Sequence, residues 1–256
     1  MQIGRPGPAV TRIAQAYPDR VEVRGRDLTG DLMGRLSFTA YFHLLLTGEE
    51  PTEEQRELLD LLLVAIAEHG LMPANVAARM TLAADPGALQ AAVAAGILGA
   101  GPVVLGTSEE CARLLEGIRE TGSDPVEAVR EIRAAGGKVP GFGHPVHRPV
   151  DPRAERILAL ADERGASGAH VALARRLLDA VVEVWGKPLP MNVSMPIAAV
   201  MLDLGYSAEH VKAVPILART ASLLAHLAEE QQRPIGFALA GAAEGSVEYV
   251  PSDDDG

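Results

Sequence analysis

Apolar positions recur at helical spacing from Ser37 almost to the end of this chain, and strand-like alternation is confined to a short stretch near its start. Residues 1–20 read as a loose arm, and Arg20–Asp27, RVEVRGRD, alternates apolar with polar, which predicts a short strand or hairpin. FTAYFHLLLTG predicts a helix stopping at Gly48, a residue suited to a C-terminal cap. Thr52 and Gln55 have capping-box spacing, and Leu58, Leu59, Leu62 and Ile66 mark the inner face of a helix running to Gly70. Pro73, Asp85-Pro86 and Asp124-Pro125 each predict a helix start, because a first turn tolerates proline. Thr107 with Glu110 predicts a second capping box, and Gly136-Gly137 a stop. Asp151-Pro152 opens a helix to about Arg164, and Ser167 caps a long one ending near Trp185-Gly186. After the loop KPLPMNVSMP a short helix reaches Gly205; Ser207 then opens the last long helix, with a kink predicted at Pro215. The tail EYVPSDDDG is acidic and reads as frayed. The fold class is all-α, without internal repeat. Residues 1–137 read as part of a large helical domain, 138–235 as a smaller helical domain carrying the active-site loops, and 236–256 as a C-terminal tail.

One stretch breaks the helical pattern. Val139–Arg153, VPGFGHPVHRPVDPR, holds two glycines, four prolines, two histidines and two arginines, and Lys138 precedes it. Prolines at this density exclude a continuous helix. Gly141 and Gly143 flank Phe142, so the backbone can take positive φ or approach a ligand on either side. The stretch reads as a functional loop between helices, or as a rigid connection with a basic edge.

Composition narrows the classes. At 256 residues with 48% hydrophobic content the chain is globular and long enough for a large core. No run of about 18 apolar residues is free of interruption, and MQIGRPGPAVTR lacks a signal peptide's apolar core, so no membrane partner is expected. The single cysteine, Cys111, allows neither a disulfide framework nor a cysteine metal site, and the protein reads as cytoplasmic. A net charge of −11 argues against nucleic acid. An anionic ligand would need a local basic cluster, which the loop supplies.

His43 and His226 sit in apolar helical patterns and read as packing or surface residues, while His170 and His210, near helix starts, read as solvated. His69 ends a helix, where the dipole alone would raise its pKa. His144 lies among arginines, which favours a neutral imidazole able to accept or donate a proton near neutral pH. No histidine pair has the spacing of a known metal motif, so no metal is expected. Arg219, amid alanine and leucine, pairs with a carboxylate, either of a side chain or of a ligand. Arg233 is a helix-terminal cation or a ligand-binding one. Arg148 and Arg156 read as surface charges or loop cations.

GFGHPVHRPVDPRA resembles the GFGH…DPR segment of the citrate synthase family. EHGLMPANVAARMTLAADPGALQAAVAAGI resembles that family's helix pair beginning with a ligand-binding histidine. PMNVSMPIAAVMLDLG is similar to its NVD segment, and ILARTASLLAHLAEEQQRP to its arginine-bearing helix. The likeness runs over roughly residues 20–240 in one order. It implies a citrate synthase-like helical fold with a large and a small domain. It implies that His144 handles the substrate's carbonyl or hydroxyl oxygen, and that His69, Arg153 and Arg219 bind the carboxylates of oxaloacetate or citrate. Arg233 would cross a dimer interface into the neighbouring site of a homodimer. The Lys138, Val139, Gly141, Phe142 and Gly143 backbone, with Arg148, would hold coenzyme A, which is part of the substrate and not a permanently bound cofactor.

Two positions depart from the family pattern. Val104 stands where a synthase has a histidine that stabilises the acetyl-CoA enolate, as in the citryl-CoA lyase and ATP-citrate lyase branch. Ser194 stands where NVD has its catalytic aspartate, and a serine can hydrogen-bond but cannot act as a carboxylate base. The resemblance therefore implies a citryl-CoA lyase-like enzyme acting on an acyl-CoA and a di- or tricarboxylate, with His144 and Ser194 in the catalytic positions. A non-catalytic carboxylate or coenzyme A binding protein, or a synthase-type acyltransferase with altered substrate, are the other readings.

Overall fold

The computed structural model describes residues 9–250. Its backbone divides into two compact units, one up to Asp60 and one from Leu61. In the first, β1 (Ala14–Ala16), β2 (Val21–Val23) and β3 (Arg26–Asp27) form an antiparallel sheet in that order. RVEVRGRD is thus a hairpin, and β1 comes from within the stretch expected to be a loose arm, with Ala14 opposite Val23. Residues 1–8 of that arm lie outside the described residues. Asp27 then starts a π-helical turn, Leu28–Leu32, by accepting from the N–H groups of Thr29 and Gly30. The helix α1 (Phe38–Thr47) is capped by Ser37 and ends at Gly48, whose φ of 88° needs a residue without Cβ. Val23, Leu32 and Leu44 form the core of this unit.

Helices make up the rest. Next come α2 (Glu53–Ala67), α3 (Pro73–Ala84), α4 (Leu89–Leu98), α5 (Thr107–Thr121), α6 (Pro125–Ala134) and α7 (Pro152–Glu163). They are followed by α8 (Ala169–Trp185), α9 (Ser194–Asp203), α10 (Ala208–Val211), α11 (Ala213–Gln232) and α12 (Gly236–Gly245). The all-α class holds. The Thr52 box forms as predicted: Thr52 N–H donates to Gln55 Oε1 at 2.9 Å and Gln55 N–H to Thr52 Oγ1 at 3.1 Å.

Other boundaries differ for local reasons. The Thr107 hydroxyl donates to the carbonyls of Pro102 and Val103, so α5 starts without the predicted box. Asp85 closes a turn by accepting from Gly87, and α4 begins only at Leu89. Ser167 does not cap α8; its hydroxyl bonds to Asp162, and the carboxylate of half-buried Asp203 accepts the N–H groups of Gly168, His170 and Val171 instead. His170 is therefore not simply solvated, since its Nδ1 also lies 2.8 Å from Asp203. The predicted kink at Pro215 is a break near Lys212, and Pro215 falls in the first turn of α11, where its missing N–H leaves no bond unmade.

Every residue of α9 from Met195 to Leu202 is buried, because α5, α7 and α8 pack around it. That is why the helix is apolar on all sides. A second layer joins α3 to α4, α11 and α12, with Ala78, Leu82, Ala92, Leu223 and Leu227 as its core. Gly96 permits the close approach, since a Cβ there would lie 2.7 Å from the Leu223 side chain. The stretch Ala208–Gln232 is long and apolar enough, by length and composition alone, to cross a bilayer, although charged residues such as Lys212 and Arg219 interrupt it, as expected of every apolar run in the chain. Its buried face carries Arg219 and Glu230, each bonded to a residue of α3.

Candidate active site

Two loops meet between these layers. The 138–151 loop leads into α7, and the 187–193 loop leads into α9. They are stitched by a bridge between Phe142 and Met191, with Gly143 N–H donating to the Pro190 carbonyl at 2.7 Å and Asn192 N–H to the Gly141 carbonyl at 2.8 Å. Gly141 sits at φ 82°, and a Cβ there would lie 2.8 Å from both Cys111 Sγ and Met195 Cβ. The first glycine of GFGH thus lets the loop press onto α5 and α9. The second, Gly143, has open space beside it.

Two cavities adjoin at this seam. One, of about 820 Å³, is lined by Lys138, Val139, Gly141, Phe142, Trp185 and Lys187. The other, of about 300 Å³, is lined by His69, His144, Arg153, Ser194, Arg219 and Val104. Gly143, His144 and Asn192 belong to both walls. Of the residues expected to form a site, Arg148 is exposed and lines neither cavity, and Arg233 is exposed at the end of α11, also off both walls. The rest come together.

The polar geometry assigns donors. Val146 and His147 N–H groups donate to His144 Nδ1 at 3.0 and 2.8 Å. A ring nitrogen that accepts carries no proton, so neutral His144 bears its proton on Nε2. That nitrogen lies 3.5 Å from Arg153 Nη2, and two donors so placed serve a shared acceptor rather than each other. Burial, followed by His147, lowers the His144 pKa, with Arg153 a lesser cause. The neutral form is as expected, but the leading reason is desolvation. His69 lies beyond the end of α2, and burial, then Arg153 and His147, lower its pKa, opposite to the rise a helix dipole would give.

Arg219 is buried, and its bonds go to neutral partners: Nη1 to Asn75 Oδ1 at 2.9 Å and Nη2 to the Ile66 carbonyl at 3.5 Å. Its Nε has no partner. Among the described residues no carboxylate pairs with it, so the side-chain salt bridge considered for it is not formed. Burial lowers its pKa.

Several supporting residues gave no clear signal in the sequence. Asp151, fully buried, holds Arg153 and accepts from Val193 N–H at 3.2 Å, tying α7 to α9. Glu68 accepts from His69 N–H at 2.9 Å and also from Ser222 and His226. Behind it, buried Arg79 donates to His226 Nδ1 and pairs with Glu229 and Glu230. His147 places its Nε2 3.1 Å from His69 Nε2; its place three residues after His144 was the available hint. By distance alone His69, His144 and His147 could hold a metal, with one ring nitrogen of each within 4.8 Å of the others. The donor set does not suit a cation: Nδ1 of His144 is occupied by two N–H groups, and its protonated Nε2 faces a guanidinium.

Comparisons agree with this architecture. The family model described as citrate synthase, C-terminal domain, matches residues 9–236. The citryl-CoA lyase of Hydrogenobacter thermophilus is 30% identical, with TM-score 0.87 over 95% of each chain. A mutant ATP citrate lyase from Methanosaeta concilii in complex with (3S)-citryl-CoA is 20% identical, with TM-score 0.79 over 99% of this chain and 43% of that one. The citrate synthase of Haloferax volcanii is 27% identical over 223 residues, 86% of this chain and 59% of that protein. The chain spans about half the length of the curated relatives it matches.

Proposed function

The chain belongs to the citrate synthase family, and from that premise we propose that it is a citryl-CoA lyase-like enzyme. It cleaves, or reversibly forms, the C–C bond that joins an acyl-CoA to a 2-oxo acid, as in citryl-CoA giving acetyl-CoA and oxaloacetate. The observation that carries this reading is Arg219, a buried guanidinium with an unpartnered Nε in the same cavity as Arg153 and two imidazoles. A buried cation with no direct ion pair, and only the more distant charge of Glu68 to offset its burial, is costly unless a ligand carboxylate completes it. The adjoining larger cavity, beside the Lys138–Gly143 turn, takes the coenzyme A portion of the substrate. The likeness to the Hydrogenobacter lyase over the length of both chains supports the lyase side of the family.

In the cleavage direction the substrate's tertiary hydroxyl becomes the ketone of the 2-oxo acid. His144 Nε2–H and Arg153 Nη2 converge on that oxygen and stabilise its growing negative charge. Arg153, Arg219 and His69 hold the carboxylates, and Ser194, at the start of α9, supplies a hydrogen bond. The protein works as a homodimer in the cytoplasm, and Arg233 reaches the partner's carboxylate site; its exposed place off this chain's own cavity supports that role.

A second reading is favoured by one observation. Val104 and Ser194 put an apolar and a hydroxyl side chain where the family has acid–base groups, while the ligand-holding cations remain. That composition suits a non-catalytic binder of carboxylates or coenzyme A. Purified protein mixed with citryl-CoA, with acetyl-CoA and oxaloacetate followed, separates the two. Turnover supports the lyase. Stabilisation by citrate or coenzyme A without turnover supports the binder.

A further inference from the structure

We propose that Glu68 is a positioning residue of the carboxylate cavity, setting both the turn that carries His69 and the amide that aims Arg219. This deepens the reading that the cavity takes a carboxylate ligand, and rests on it. Glu68 is not on the cavity wall; it follows the last residue of α2 and is exposed, yet four groups donate to it. Its Oε1 accepts the N–H groups of His69 at 2.9 Å and Gly70 at 2.5 Å. Its Oε2 accepts from the Ser222 hydroxyl and from His226 Nε2 at 3.1 Å. Burial would raise the Glu68 pKa, but the Ser222, His226 and Gly70 bonds hold it down to about 2, so the group is an anion at neutral pH.

An anion accepts and never donates, and that fixes the direction of each bond behind it. The Ser222 hydroxyl gives its one proton to Glu68, so its oxygen faces Asn75 Nδ2, 3.4 Å away, as an acceptor. Asn75 then turns its other end, Oδ1, to Arg219 Nη1 at 2.9 Å. Without Glu68 the hydroxyl is free to donate to Asn75, and the amide can present its NH2 to a guanidinium that needs an acceptor. Glu68 is also the charge that partly offsets the burial of Arg219.

On its other side Glu68 is anchored. Arg79 Nε only donates, so His226 Nδ1 accepts from it at 3.0 Å and Nε2 carries the proton that goes to Glu68. Arg79 is fully buried and paired with Glu229 and Glu230. An exposed carboxylate is thereby tied to the packing of α3 on α11, and the turn after α2 is tied with it. His69 follows α2 and Arg219 lies within α11, so the two ligand-holding groups come from separate elements. Glu68 bonds toward both. Donors that share a ligand tolerate little misplacement, and one carboxylate keeps these two in register.

Glu68→Ala, Ser222→Ala and Ser222→Thr test this with two readouts. In the free protein, hydrogen exchange should find the His69 and Gly70 amides protected although both lie past the end of α2. Glu68→Ala should speed exchange at these two amides by about 10-fold or more, with the α3 amides unchanged, and Ser222→Ala should leave both protected. Calorimetry with citrate, at a temperature where every variant is folded, reads the site. Kd should rise about 10-fold or more in Glu68→Ala and in Ser222→Ala, the loss expected from one misaligned charge-assisted hydrogen bond. Ser222→Thr keeps the hydroxyl and should bind as the parent does. A purely structural part for Glu68 would lower the melting temperature and leave Kd alone. Parent affinity in either alanine variant overturns the proposal, as do unprotected His69 and Gly70 amides in the parent or a Ser222→Thr variant as weak as Ser222→Ala. If the parent itself binds no citrate, the carboxylate reading of the cavity fails and the positioning role falls with it; if the parent binds citrate and the variants bind it equally, only the role of Glu68 falls.

Discussion

Asp151 is fully buried and grips Arg153 at three points: Oδ1 accepts from the Arg153 backbone N–H at 3.0 Å and from Nε at 3.1 Å, and Oδ2 accepts from Nη2 at 2.9 Å. One carboxylate therefore caps α7 and fixes the aim of a guanidinium on the cavity wall. Removing one partner of a buried pair strands the other, at a cost of about 3 kcal/mol where one partner keeps some contact with water. Asp151→Asn should lose roughly that much stability to urea at pH 7. Burial alone would raise the Asp151 pKa, but the bonds and charge of Arg153 more than offset it, and the net shift is downward. A lowered carboxylate contributes its stability above the unfolded pKa of about 3.9 and loses it as pH falls through the folded value. The gap between parent and variant should therefore close in acid. A gap that stays constant to pH 2 would count against the ion pair as its source.

Much of this geometry was readable in the chain. Pro73, Pro125 and Pro152, the Thr52 box and Gly48 marked true boundaries because they act within four residues, whereas Pro86 did not. The box expected at Thr107 failed because its hydroxyl turns back to the Pro102 and Val103 carbonyls, and the cap expected at Ser167 failed because a distant group won the contact: Asp203 lies more than thirty residues from the N–H groups it caps. Resemblance placed His69, His144, Arg153 and Arg219 in one site, and the fold puts them on one cavity. Asp151 was legible as a helix start but not as the clamp on Arg153, and Glu68, Asn75 and His147 escaped notice because each serves another residue and not a ligand. Such partners become visible only when strands of chain far apart in sequence are brought together.

Ser194 is the first residue of α9, its N–H bound to Asn192 Oδ1 at 3.1 Å, and it shares a cavity with Arg153 and Arg219. A helix N-terminus and two guanidiniums favour a carboxylate at this place. Ser194→Asp should therefore fold with little loss of melting temperature and stay ionised at neutral pH. It restores a group able to move a proton at the acyl carbon, so turnover of citryl-CoA should rise about 10-fold or more. A stable variant with an unchanged rate would mean that the pocket serves a different substrate.

The shared-site model gives Arg233 a distinctive test. Arg233→Ala and His144→Ala chains should each bind ligand poorly alone. In a mixed dimer with Arg233 acting across the interface, one site carries both defects and the other carries neither. Calorimetry should then find about half the normal stoichiometry at normal affinity, as expected for a two-fold pair. If Arg233 serves only the end of its own helix, every site keeps a defect and no normal-affinity binding returns.

Arg219 sets stability against function. Its guanidinium is buried beside Asn75 and the Ile66 carbonyl with no direct ion pair, Glu68 acting on it only as a more distant charge, and its Nε is unsatisfied. Replacing a buried charge by an apolar side chain of similar length often leaves a fold as stable or more so. Arg219→Met gives up two hydrogen bonds to neutral acceptors but also removes the unpaired charge. We expect the ligand-free variant to gain about 1 kcal/mol, or roughly 2–4 °C in Tm at this chain length. Citrate at about 100 times its Kd should stabilise the parent by roughly 2.7 kcal/mol and leave the variant's Tm unmoved. The two shifts together identify Arg219 as a group kept for a carboxylate. A variant that melts well below the parent would instead make Arg219 a structural link between α3 and α11, and the cavity would lose its strongest claim to an anionic ligand.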